Sequence, residues 1–364
     1  METVLNPMRG PNRLKLGLFG ANADGGLALT RVPERWRAGW ADVVAAARLA
    51  DDAGLEFFLP IARWRGFGGE TNARESSFET LTEAAALAGL TRRIALFATV
   101  HVPMIHPVVA AKALATIDHA SGGRAGLNVV CGWSPEEFAC FGLEMVADRY
   151  EQGLEWFEIM SRIFSAETPF DFTGRYFALR GVFGRPRPLQ RPGPYVLNAG
   201  FSDAGRNFAA RAADALFTTF VEIGSSGAQI ADMRARADAA GRAVAVFTTC
   251  HVVCRPSQAE AEDYYEHYAV AMEDRAAVDH YMANKERFTR SHDPVAYRLH
   301  RKRFVGGAGT YPLIGTPERI ADELIAIAAA GFAGVGLSFV NYAAELPFFA
   351  ARVLPLLTRA GLRG

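Results

Sequence analysis

The stretch IALFATVHVPMIHPVVAAKALATIDHASGGRAGLNVVCGW, residues 94–133, decides the fold. It opens with a short apolar run, Ile94–Thr99, continues at helical period over Pro107–Ser121, and closes with a second apolar run, Ala125–Val130. Strand, amphipathic helix and strand in that order predict two parallel strands covered by the helix between them. The same rhythm extends in both directions. Further strands are expected at Leu14–Phe19, Glu56–Leu59, Tyr195–Asn198, Ala215–Thr219, Ala245–Cys254 and Val335–Ser338. Further helices are expected at Trp36–Ala53, Phe78–Leu90, Tyr150–Phe164, Ser202–Ala213, Gly227–Ala240, Gln258–Met272, Pro317–Ala330 and Ala344–Leu357. At roughly 150 residues per domain, 364 residues make about two domains or one large barrel. The repeated strand-helix unit favours one α/β domain over residues 1–364, a (β/α)8 TIM barrel.

Two insertions, near 172–191 and 273–313, interrupt the rhythm and are expected at the C-terminal face of the barrel. The first carries FTGRYFAL, which reads as a hairpin turning at Thr173 and Gly174. A Pro-rich run at 183–194 follows and cannot pair as an inner strand. The second holds His280, His292, His300, many charges and Gly306, Gly307 and Gly309, a composition expected of a mobile lid.

Composition excludes several classes. Half the residues are hydrophobic and 21% are charged, enough for a sizeable core and against disorder. Thirty-nine basic residues balance thirty-nine acidic ones, so no overall field collects nucleic acid or anionic membrane. No apolar run approaches the ~18 residues of a membrane span. Four cysteines are too few for a disulfide framework, and Met1–Asn12 is polar and Pro-rich without a signal-peptide pattern. The expectation is a cytoplasmic protein that binds neither nucleic acid nor membrane.

In such barrels the reacting groups sit at the C-terminal ends of the strands. Thr99 and His101 end one strand, Asn128 lies within the next, which runs on to Cys131 and Trp133, and the loop after Leu59 contains Ala62, Arg63 and Trp64. An amide inside an apolar strand costs a few kcal/mol unless its hydrogen bonds are met, whether by neighbouring backbone or by a ligand. The segment Asn198–Gly205, with Gly200 and Ser202, links a strand to a helix start; it reads as a phosphate seat or as an ordinary N-cap. Arg149 and Tyr150 begin another helix, where a guanidinium can fork onto phosphate or simply meet solvent. Cys131 reads as a small buried hydrophobe rather than a nucleophile. His101 with His106, and Cys250 with Cys254, lack the further ligands of a zinc site, so no metal is expected. Neither G-x-S-x-G nor G-x-x-x-x-G-K-[ST] occurs.

Four ordered segments, RGFGGET at 65–71, ATIDHASGGRAGLNVVCGW at 115–133, DRYEQ at 148–152 and NAGFSDAGRNFAARAAD at 198–214, resemble the bacterial luciferase-like flavin monooxygenases, most closely the pyrimidine and dimethylsulfone or alkanesulfonate monooxygenase groups. IGTPERIADEL at 314–324 is similar to theirs as well. The resemblance implies FMN, delivered reduced by a separate NAD(P)H:flavin reductase, with O2 as co-substrate and a small-molecule substrate. It implies Ala62 and Arg63 along the isoalloxazine, Asn128 and Glu137 against the flavin, and Arg149, Tyr150, Gly200 and Ser202 around its phosphate. Thr99 and Asn128 match the pair that holds oxygen at the flavin N5 edge, which implies a flavin N5-(per)oxide rather than the C4a-peroxide. Arg63, Trp64, His101 and Cys131 depart from the pyrimidine pattern, and with Trp133 the last three become candidate substrate contacts. A homodimer or homotetramer is implied too. A deazaflavin- or flavin-dependent oxidoreductase without oxygen insertion and a non-catalytic flavin-binding protein remain open alternatives.

Overall fold

The computed structural model describes residues 6–286 and 294–364. Its strands are β1 (Lys15–Phe19), β2 (Phe57–Leu59), β3 (Ala95–His101), β4 (Ala125–Val130), β5 (Phe170–Thr173), β6 (Ala178–Val182), β7 (Tyr195–Asn198), β8 (Ala215–Phe217), β9 (Ala245–Cys254), β10 (Tyr311–Gly315) and β11 (Gly334–Ser338). Eight of them, β1, β2, β3, β4, β7, β8, β9 and β11, form a closed parallel ring. Pairing of β8 with β9, from Ala215 against Ala245 to Phe217 against Phe247, shuts it, so this ring has no open edge. The chain is a (β/α)8 barrel, as the alternation of strands and helices predicts.

Side chains alternate across each strand. Phe57, Leu59, Ala95, Phe97, Leu197, Phe217 and Phe247 fill the interior. Leu96, Ala98, Val100, Leu127 and Val129 face the surrounding helices. Full burial of each Leu, Val or Phe among them contributes about 1.5–3 kcal/mol. The parity that sends Phe97 inward does the same for Thr99 and His101, and Leu127 and Val129 facing out turns Asn128 in. The three polar residues therefore stand above the packed interior, at the C-terminal mouth.

Two expectations need correction. The helix expected from Trp36 begins at Trp40; the Asp42 carboxylate accepts from the Gly39 N–H and caps it there. The first insertion forms its hairpin, β5 with β6, with its turn against Asp148 and His106 at the starts of the helices that follow β4 and β3. Glu155 of the helix Arg149–Ser165 holds its turn, and the Pro-rich run ends with Gln190 donating to Ala125 O at the start of β4, on the opposite face.

The second insertion is two helices, Arg275–Glu286 and Pro294–Gly307, followed by the ninth parallel strand, β10. That strand pairs β9 from Cys250 to Cys254, beyond the point where β8 stops. Sequence pattern missed it because Pro312 demotes a strand; an edge strand can turn the missing N–H to its unpaired side. His292 lies outside the described residues. Gly306 and Gly307, read as flexible, are close-packing positions: a Cβ on Gly307 would lie 2.5 Å from His251 Cβ and Nδ1. Replacing Gly307 by Ala should lower stability by about 1–3 kcal/mol through overpacking, read as an earlier urea midpoint; an unchanged midpoint would contradict this packing.

Candidate functional site

Thr99 of β3 stands in register with Asn128 of β4. The Thr99 hydroxyl donates to Pro60 O at 2.6 Å, so its lone pair is what receives Asn128 Nδ2 at 3.2 Å. This fixes the orientation of the amide. Asn128 Oδ1 is left buried with no partner, and an unfilled buried acceptor costs about 1–3 kcal/mol. Beside the pair lies a pocket of about 190 Å3, whose lining includes Ala62, Arg63, Trp64, Thr99 and His101. His101 is buried, and its Nδ1 also lacks a partner. Burial, helped by the charge of Arg63, pushes its pKa down to about 4, so the imidazole is neutral near pH 7.

Arg63 is buried on a loop, and its charge needs compensation. Glu137, from the short helix Pro135–Cys140 after β4, supplies it at 3.2 Å from Nε. The carboxylate also accepts from the Trp64 N–H at 2.9 Å. Phe67 and Trp133 stack on the guanidinium at 4.5 and 4.9 Å. Desolvation still lowers the Arg63 pKa to about 10, which leaves it cationic. Burial raises the Glu137 pKa against the pull of Arg63. Trp64 itself is exposed and meets Phe141 edge-on.

A second constellation sits around the helix Asp203–Ala212. Ser202 caps it, accepting from the Gly205 N–H at 3.1 Å. The backbones of Gly200 and Gly205 touch: a Cβ on Gly200 would lie 2.6 Å from Gly205 Cα, and one on Gly205 would lie 2.8 Å from the Tyr150 hydroxyl. Asn198 ties this turn to β4 by donating to Val129 O and accepting from the Gly200 N–H. Arg149 Nε and Gln152 Oε1, at the start of the neighbouring helix, are buried and unpartnered. A helix N-terminus, a hydroxyl and an arginine converging in this way suit an anion.

The structure thus gathers Ala62, Arg63, Trp64, Thr99 and His101 at one pocket, with Asn128 bonded to Thr99 beside it, and Arg149, Tyr150, Gly200 and Ser202 at the other constellation. Cys131 joins neither: Sγ would lie 2.7 Å from a Cβ on Gly153, and burial pushes the thiol up to about 12. Residues that sequence reading missed come from the second insertion. Tyr281 packs on Phe67 at 4.7 Å and Trp133 at 6.4 Å, and His280 meets Phe67 O at 2.9 Å and Glu136 at 3.4 Å. No local pattern marks them, because their partners lie far away in the chain.

Comparison with known proteins gives one family, described as luciferase-like monooxygenase, which matches residues 18–334. The chain is 29% identical to an FMNH2-dependent dimethylsulfone monooxygenase of Pseudomonas putida, over 94% of this chain and 95% of that one. It is also 29% identical to a pyrimidine monooxygenase of Cronobacter turicensis, over 98% and 95%. Among solved structures, a riboflavin lyase with modified FMN and riboflavin superposes with a TM-score of 0.84 at 25% identity, covering 97% of this chain and 93% of that one.

The folded pKa of His101, about 4, lies below the ~6.5 of an unfolded histidine, so the unfolded chain takes up the proton first. Its contribution to stability is complete above about pH 6.5 and is lost as the pH falls toward 4. Urea titrations across that window should show a shallower pH slope for His101→Gln than for the native protein. Equal slopes would place the imidazole in solvent.

Proposed function

Because the chain belongs to the luciferase-like monooxygenase family, we propose that it is a two-component flavin-dependent monooxygenase. It binds reduced FMN delivered by a separate NAD(P)H:flavin reductase, and uses O2 to oxygenate or oxidatively cleave a small polar substrate of heterocyclic amide or organosulfur type. The observation that carries this reading is the oriented Thr99–Asn128 pair, with Asn128 Oδ1 left as a buried acceptor. Reduced flavin is rich in ring N–H groups, and an acceptor fixed in this direction suits one of them. The unfilled Arg149 Nε and Gln152 Oε1, and the cradle at Gly200 and Gly205 that a Cβ would fill, suit its phosphate end.

When bound, FMN supplies the electrons and the site at which O2 reacts; the side chains bind, orient and exclude water. Arg149, Tyr150, Gly200 and Ser202 would hold the phosphate. Ala62 and Arg63 would bind the ring, and Glu137 acts through Arg63 by fixing its guanidinium. Thr99 keeps the Asn128 amide in its one useful orientation, which supports oxygen chemistry at the N5 edge. The second insertion, clasped through Trp133 and Tyr281, keeps water from the mouth. No helix among the described residues is long and apolar enough to cross a membrane. The proposal includes a cytoplasmic homodimer or homotetramer built as a single domain.

Anaerobic titration with reduced FMN, followed by rapid mixing with oxygen, tests this function. The native protein should bind reduced FMN, and an oxygenated product should form only when O2 and a substrate are both present. Arg149→Ala should weaken FMN binding roughly tenfold or more, the loss of a charge-assisted contact. Thr99→Ala and Asn128→Ala should remain folded and lose about a hundredfold in product formation. Full activity in both would remove their role, and hydride transfer without oxygen uptake would make the protein an oxidoreductase of another kind.

A further inference from the structure

His280, on the helix Arg275–Glu286, stands between two acceptors. Its Nδ1 lies 2.9 Å from Phe67 O, and its Nε2 lies 3.4 Å from Glu136 Oε2. A carbonyl only accepts, and so does an ionised carboxylate, whereas a neutral imidazole carries a single N–H. Only the imidazolium donates to both. A neutral ring that keeps its bond to Phe67 O turns a lone pair toward Glu136. We propose that His280 is a positioning residue whose proton ties the second insertion to both segments that hold the Arg63–Glu137 pair, and that this clasp loosens as the pH rises through the range in which histidine titrates.

The two anchors flank that ion pair. Phe67 is the ring stacked on the Arg63 guanidinium at 4.5 Å, and Glu136 is the neighbour of Glu137 on the helix Pro135–Cys140. One imidazolium therefore bridges the loop after β2 and the segment after β4. Tyr281, the next residue, packs on Phe67 and Trp133 and keeps the ring of His280 at this junction.

The surrounding charges set the direction. From the loop after β2, Arg63 and Arg74 lie over the Phe67 ring. Arg63 is matched by Glu137, and Arg74 donates to Gly26 O and Leu27 O. On the helix of His280 itself, Asp279 is paired with Arg301 of the helix Pro294–Gly307 at 2.6 Å, and Asp274 accepts from Thr71. Glu136 thus meets His280 in direct contact, while the opposing charge of Arg74 acts across a ring. Both side chains of the pair are more than a third exposed, so solvent screens it and its contribution is that of a surface ion pair, roughly two- to fivefold in the clasping equilibrium. Phe67, Trp133 and Tyr281 still hold the insertion when the proton leaves.

Hydrogen–deuterium exchange of the native protein without flavin tests this. With labelling times scaled for the intrinsic pH dependence of amide exchange, protection across Arg275–Glu286 should fall roughly two- to fivefold between pH 5.5 and 8.5. Glu136→Gln should remove that dependence, an effect that a purely structural role for His280 does not produce. His280→Lys, cationic throughout, should keep the low-pH protection at both values, and His280→Gln should show the high-pH level at both. Where a variant does not fold, the native slope and the remaining variants decide. Equal protection at the two pH values in the native protein, or a slope that survives in His280→Gln, overturns the proposal. Since the readout needs no cofactor, that failure leaves the flavin reading intact, and a failure to bind reduced FMN leaves the clasp intact.

Discussion

Burial of one guanidinium organises the mouth of this barrel. Arg63 sits on a loop, and a charge there is tolerable only if every neighbour serves it. Glu137 comes from the far side of β4 to neutralise it, Phe67 and Trp133 close on its faces, and Tyr281 of the second insertion packs on both rings. The same positive charge helps keep His101 uncharged. Remove the guanidinium and Glu137 becomes the uncompensated buried ion instead. The loop after β2, the segment after β4 and the insertion are thus held by one electrostatic requirement rather than by three independent contacts.

The barrel beneath needs no such device. A closed parallel ring buries its strands on both faces, and the alternation of side chains then settles which residues look inward. Three polar residues at the inner top of β3 and β4 fall above a layer of phenylalanines and small residues, where water is already scarce. The cost of placing them there is met by mutual hydrogen bonds for Thr99 and by nothing yet for Asn128 Oδ1 and His101 Nδ1. This contrast separates groups whose hydrogen bonds are closed within the protein from those left open.

The ring strands were legible because each is a local apolar run bounded by helix-period segments, and the resemblance pointed to Thr99, Asn128 and the seat at Arg149 and Ser202. β10 was hidden by Pro312. Its place as a partner of the second half of β9 follows from the length of β9, which no local rule interprets. Cys131 could have been placed: it shares the parity of Leu127 and Val129, so it faces the helices and packs beneath Gly153. The pairing of Arg63 with Glu137 and the clasp by Tyr281 were not legible, because single-sequence patterns carry no information about which distant loops meet. Gly306 and Gly307 misled for a related reason, since glycine serves both free turns and tight approaches, and only the neighbour, here His251, tells which.

The distribution of the four free cysteines has a practical side. Cys131, Cys250 and Cys254 are buried with thiols pushed upward, whereas Cys140 is exposed at the end of the short helix that carries Glu136 and Glu137. A thiol-reactive fluorophore would therefore attach preferentially at one point, beside the aromatic rim of Trp64 and Phe141, without any engineered change. The native protein carries its own attachment site for an optical gauge of the distance between that helix and the insertion that rests on it through His280.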